Sequence, residues 1–153
     1  MTDEAKAACG CFVFTVLACL VVLMLFGCGY AKHKDPKTFY ESSDVAVEMA
    51  AKLHAINIGG VYERNECCGS MEPLIKAGDW LVRKPEAFTD GLLGKVVAYR
   101  RANGQRLLHR LVSGNAQGGF IASGDNNKLS EPDERVTEAN YLWTCIAVYK
   151  VAK

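Results

Sequence analysis

The sequence predicts a mainly antiparallel β domain preceded by one membrane-spanning helix and one short helix. Three observations carry that expectation. Residues 7–31 hold no formal charge and include the apolar stretch Phe12 to Phe26, long enough to cross a bilayer as a helix. Lys95–Arg100 and Arg106–Val112 are β-forming runs on either side of Asn103-Gly104, a strong hairpin turn signal. Tyr141–Tyr149 is a further aromatic and β-branched run near the C-terminus, typical of a buried strand.

The chain has 153 residues, half of them hydrophobic, and a net charge of +1. That balance makes no electrostatic case for nucleic acid as a partner. Segment 1–31 is read as a single-pass anchor. A competing reading is a secretory signal ending in Leu25-Phe26-Gly27-Cys28, which looks like a bacterial lipoprotein processing site with Cys28 as the lipidated residue. Lys32, His33, Lys34 and Lys37 follow the span and only Lys6 precedes it, so the positive-inside tendency would keep the following domain in the cytoplasm. Of the seven cysteines, none form a paired metal-ligand set. Whether Cys145 pairs with Cys67 or Cys68 is not legible from sequence.

Segment 32–60 reads as a linker, Asp35 to Tyr40, followed by a helix. Ser42 or Ser43 supplies the N-cap, the helix runs from about Asp44 to Ile56, and Gly59-Gly60 stops it. Val45, Met49, Leu53 and Ile56 recur at helical spacing and predict one apolar stripe. His54 lies near its end, with no evident partner to orient it. Segment 61–153 reads as the β domain. Trp80-Leu81-Val82 starts a strand, Gly118–Ser123 forms another, and Gly124-Asp125-Asn126-Asn127 is a turn.

The chemistry centres on Cys67-Cys68-Gly69-Ser70-Met71-Glu72-Pro73, a small-residue turn that presents one hydroxyl ahead of a proline-stiffened loop. In the strand after Asn103-Gly104, alternation groups His109 with Leu107 and Leu111, and Arg110 with Leu108 and Val112. Apolar neighbours favour a neutral imidazole, the form a general base needs.

In order along the chain, Ser70-Met71-x-Pro73, Gly78-Asp79, His109-Arg110 and Gly124-Asp125-Asn126-Asn127 resemble the catalytic region of type I signal peptidases. The bacterial branch pairs its serine with a lysine, whereas the archaeal and endoplasmic-reticulum branch has His-Arg at that place, as here. The resemblance covers Cys67 to about Val136. It implies a signal-peptidase/SOS-repressor-like β fold and a membrane-bound serine endopeptidase on the extracytoplasmic side, opposite to the charge-flank expectation. Its substrate would be a pre-protein or signal peptide cut after a small residue, its other partner the lipid bilayer, and it would need no cofactor and no metal.

By the same resemblance, Ser70 is the nucleophile and His109 the general base. The orienting carboxylate lies among Asp125, Glu131 and Asp133; the family has an aspartate where Glu131 stands. Cys68 occupies the place of a serine that helps bind the oxyanion, and a thiol is a weak donor. Loss of a good oxyanion donor costs roughly 3 kcal/mol in the transition state. Met71 and Pro73 are expected at the substrate surface, and an apolar rim of Met71, Leu74, Ile75 and Trp80 would face either the bilayer or the core. Two other readings stand beside this one. The self-cleaving SOS repressors share the Ser-Met-x-Pro segment but use a lysine base and a DNA-binding domain. A membrane-tethered peptide-binding module with impaired chemistry would keep the fold and fits Cys68 and Glu131.

Overall fold

The computed structural model describes residues 31–66, 69–127 and 134–152. They form β1 (Lys37–Glu41), α1 (Asp44–Ile58), β2 (Val61–Arg64), β3 (Trp80–Lys84), β4 (Val96–Arg100), β5 (Arg106–Asn115), β6 (Gly119–Ser123), β7 (Glu134–Val136) and β8 (Tyr141–Val151), with short 3-10 turns at Gly69–Met71 and Asp90–Leu92. Ala31–Lys153 is one compact unit, and its fold is mainly antiparallel β sheet with one helix. Among the described residues no helix is long and apolar enough to cross a membrane. The predicted span, except Ala31, and Cys28 with it, lies outside those residues.

The sheet runs β2-β3-β8-β4-β5-β6-β7. Every pairing along this path is antiparallel. β8 is long because it serves three partners. β3 takes one edge, from Thr144 to Tyr149. β4 takes Tyr141 to Thr144 on the other edge, and β1 runs parallel along Ala147 to Val151 beyond it. The stretch expected as a linker is therefore largely sheet: Thr38, Phe39 and Tyr40 face Val148, Tyr149 and Lys150. Nothing local in Lys37–Glu41 marks a strand, since the parallel partner lies more than 100 residues away in the chain.

The helix forms where its caps dictate. The Ser43 hydroxyl accepts from the Ala46 N–H at 3.3 Å, and Gly59 closes the helix in the left-handed region at φ 64°. Its buried face is Val47, Ala51 and Ala55, packed with Val82, Ala147 and Tyr149. This corrects the expected stripe: Val45, Met49, Leu53 and Ile56 point away from the body and are exposed. Both faces are apolar. Small residues win the inner one because they let the helix lie close on the sheet, as close-packed interiors require.

Two further clusters form the remaining core. One gathers Met71, Ile75, Leu81, Val96, Ala98, Trp143, Cys145 and Val148, with Leu74 and Leu108 against it. The other gathers Leu92, Val97, Tyr99, Leu111, Phe120, Ala122 and Val136, with Leu107 against it. Leu107 and Leu111 thus fall on one side of β5 and Leu108 on the other, as alternation predicts. Of the apolar rim, Met71 and Ile75 are core residues, and Trp80 packs beside Tyr62 against the α1 cluster. Cys145 is a free, buried thiol, and burial pushes its pKa up to about 12.

Candidate active site

Ser70 lies in the 3-10 turn Gly69–Met71. The turn is anchored from below by Met71, 3% exposed. The expectation that Met71 lines the substrate surface is corrected by this placement: the side chain is the peg that seats the turn in the core. Pro73, exposed, follows a cis Glu72-Pro73 bond. On the far side of this loop Asn65 acts as a brace. Its side chain donates to Lys76 O at 2.9 Å, its N–H donates to Asp79 O and its carbonyl accepts from Gly78 N.

The Gly124–Asn127 turn clamps the serine from the other direction. Asn126 N donates to Ser70 O at 2.8 Å, and Asn126 Nδ2 donates to Gly69 O at 2.9 Å. Gly124 is obligatory at this approach, because a Cβ there would stand 2.7 Å from Ser70 O and 2.8 Å from Asn127 Cγ. Gly124 and Asn126 therefore hold the backbone of the Gly69-Ser70 pair, the first by leaving room and the second by donating.

β5 carries His109 and Arg110 beside this turn, and the Ser70 turn packs on β5. His109 is 7% exposed and lies opposite Val97 on β4. Its Nδ1 is 3.2 Å from the Tyr99 hydroxyl, which is buried with it. In the neutral tautomer with a proton on Nδ1, the hydroxyl accepts and Nε2 keeps the lone pair a base requires. Ser70 Oγ makes no hydrogen bond among the described residues.

Arg110 is the largest fully buried side chain. Its Nε and Nη2 donate to the two oxygens of Asp125 at 2.8 and 2.7 Å, Nη2 also donates to Asp35 at 2.7 Å, and Nη1 donates to Gly94 O at 2.8 Å. Burial acts to lower the Arg110 pKa, but the hydrogen bonds and charges of Asp125 and Asp35 outweigh it and leave it raised. The register explains the pairing: Arg110 faces Ser123 on β6, and the next residues of that strand are Gly124 and Asp125. Asp125, expected as a candidate carboxylate for the imidazole, is thus placed on Arg110, where a bidentate fork fits it best. Glu131, Asp133 and Cys68 lie outside the described residues.

Sequence reasoning missed Tyr99 and Asp35. Tyr99 reads as one more aromatic in a strand, and only the β4–β5 pairing sets it against His109. Asp35 sits in a stretch read as linker. His54, set aside as a base, is bonded through Nδ1 to the Tyr149 hydroxyl at 2.9 Å and flanked by Phe39, a packing role. A small cleft of about 110 Å³ opens between the end of β2 and the start of β5, lined by Asn65, Glu66, Leu107, Leu108 and Trp143 among others.

Comparison of the chain with family models, with curated proteins and with solved structures finds no match.

Proposed function

We propose that this chain is a membrane-anchored serine endopeptidase of the type I signal peptidase kind, cutting a pre-protein after a small residue. One observation carries the reading. The Gly124–Asn127 turn holds the Ser70 backbone through Asn126 and, through Asp125, holds the arginine next to His109. Three segments far apart in sequence are thereby brought together around β5, which supports reading them as parts of one serine–histidine site.

Ser70 Oγ attacks the scissile carbonyl while His109 Nε2 takes its proton. The Tyr99 hydroxyl accepts a hydrogen bond from Nδ1–H and keeps the ring from rotating. The tetrahedral oxyanion is met by the Ser70 N–H. Collapse expels the amine, which takes the proton back from His109, and leaves an acyl-enzyme on Ser70. Water then repeats the sequence. Cleavage after a small residue is what the resemblance of the Ser70, His109-Arg110 and Gly124–Asn127 segments to signal peptidases implies. On this reading the 1–31 segment anchors the chain as a single-pass protein with the domain on the extracytoplasmic side.

The test is acylation and cleavage together. Purified full-length protein is treated with a serine-directed acylating probe and with a signal-peptide substrate. The expected result is labelling at Ser70 and cleavage, both abolished by Ser70→Ala. Peptide binding without labelling or cleavage would instead establish the peptide-binding module. Unchanged cleavage by Ser70→Ala would remove the serine mechanism.

A further inference from the structure

We infer that the outer face of α1 is a self-association surface that receives the same face of a second copy of this chain, helices antiparallel. Val45 is 75% exposed, Ile56 65%, and Met49 and Leu53 54% each. With 100° per residue these four project within a narrow arc, opposite the Val47–Ala51–Ala55 face that packs on the sheet. A contiguous run of large aliphatics facing away from the body marks an interaction site.

The charges beside the stripe select the occupant. Glu48 and Lys52 lie on one flank of it, both exposed. Neither makes a hydrogen bond or ion pair among the described residues. A bilayer-binding helix would surround its apolar face with Lys and Arg, whereas this flank carries one charge of each sign. Such a pattern is complementary to itself. In an antiparallel pair centred near residue 51, Val45 meets Ile56 of the second copy and Met49 meets its Leu53. The twofold axis sets like flanks side by side, so Glu48 of each copy meets Lys52 of the other. This is the isologous arrangement of a symmetric dimer. Val45, Met49 and Leu53 also form an i, i+4 ridge suited to helix-on-helix packing. One helix face per copy lies below a standard interface of about 1,600 Å² in total, so the association is weak and reversible.

The experiment uses full-length chains, one unlabelled and one uniformly ¹⁵N-labelled, mixed and reconstituted in phosphatidylcholine vesicles and treated with a zero-length carbodiimide. Mixed light–heavy Glu48–Lys52 cross-links are expected. Glu48→Lys should suppress them, and Glu48→Lys with Lys52→Glu should restore them. Leu53→Glu, at an exposed position that leaves the fold intact, should cut the mixed product about tenfold by placing two like charges in the contact. Cross-links confined to single-isotope peptides would overturn the inference, as would mixed products that Leu53→Glu leaves unchanged. Neither outcome touches the Ser70 reading, which the acylating probe tests separately.

Discussion

Replacing Tyr99 by Phe removes the hydroxyl that hydrogen-bonds the His109 ring. The two side chains are buried at 1% and 7% exposure, and the hydroxyl is 3.2 Å from Nδ1. Phe fills the same ring volume in the cluster of Leu92, Val97 and Phe120, so packing is retained. A neutral buried hydrogen bond of this kind contributes about 0.5–1.5 kcal/mol. If that energy holds the base in its working tautomer, its loss lowers kcat/KM by roughly 2- to 13-fold. The assay is steady-state cleavage of a quenched fluorogenic peptide, paired with ¹⁵N spectra of the His109 ring. The parent should show a single tautomer protonated on Nδ1, and Tyr99→Phe a mixture. A parent already in mixed tautomers, or a variant with unchanged kcat/KM and unchanged ring spectra, would refute the orienting role of Tyr99.

The other predictions concern the clamp and the core. Gly124→Ala forces a methyl to 2.7 Å from Ser70 O. It should cost about 1–3 kcal/mol of stability and reduce Ser70 acylation further, read by denaturant melts beside probe labelling. Arg110→Met leaves Asp125 and its low-exposure carboxylate without the bidentate partner. A loss of about 3–5 kcal/mol is expected, while Arg110→Lys, with charge but no fork, should fall between it and the parent. Cys145 has a folded pKa raised above that of a free thiol, so the folded state holds its proton more tightly than the unfolded chain. The stabilising effect is complete below about pH 9 and is lost as pH rises towards about 12, by linkage. Cys145→Ala should flatten that part of the stability–pH curve, and Cys145 in the folded protein should resist iodoacetamide at pH 8, read by peptide mapping.

What the sequence by itself determined is local. Ser43 and Gly59 bound α1 because capping is decided within a few residues of each end. Asn103-Gly104 fixes the β4–β5 hairpin for the same reason, with Gly104 at φ 85°. The Ser70 and Gly124–Asn127 turns and the strand carrying His109-Arg110 were legible because turn chemistry and strand alternation are written into neighbouring residues. What only the tertiary structure decided depends on partners distant in the chain. β1 became a strand because β8 offered the remainder of an edge to it. The sheet chose the alanine face of α1 because two apolar faces competed and only the smaller residues fit close against it. Above all, the β5–β6 register placed Asp125 on Arg110, and the β4–β5 register brought Tyr99 to His109. A sequence names the groups able to pair; the sheet register, a property of strands that meet only after folding, decides which of them do.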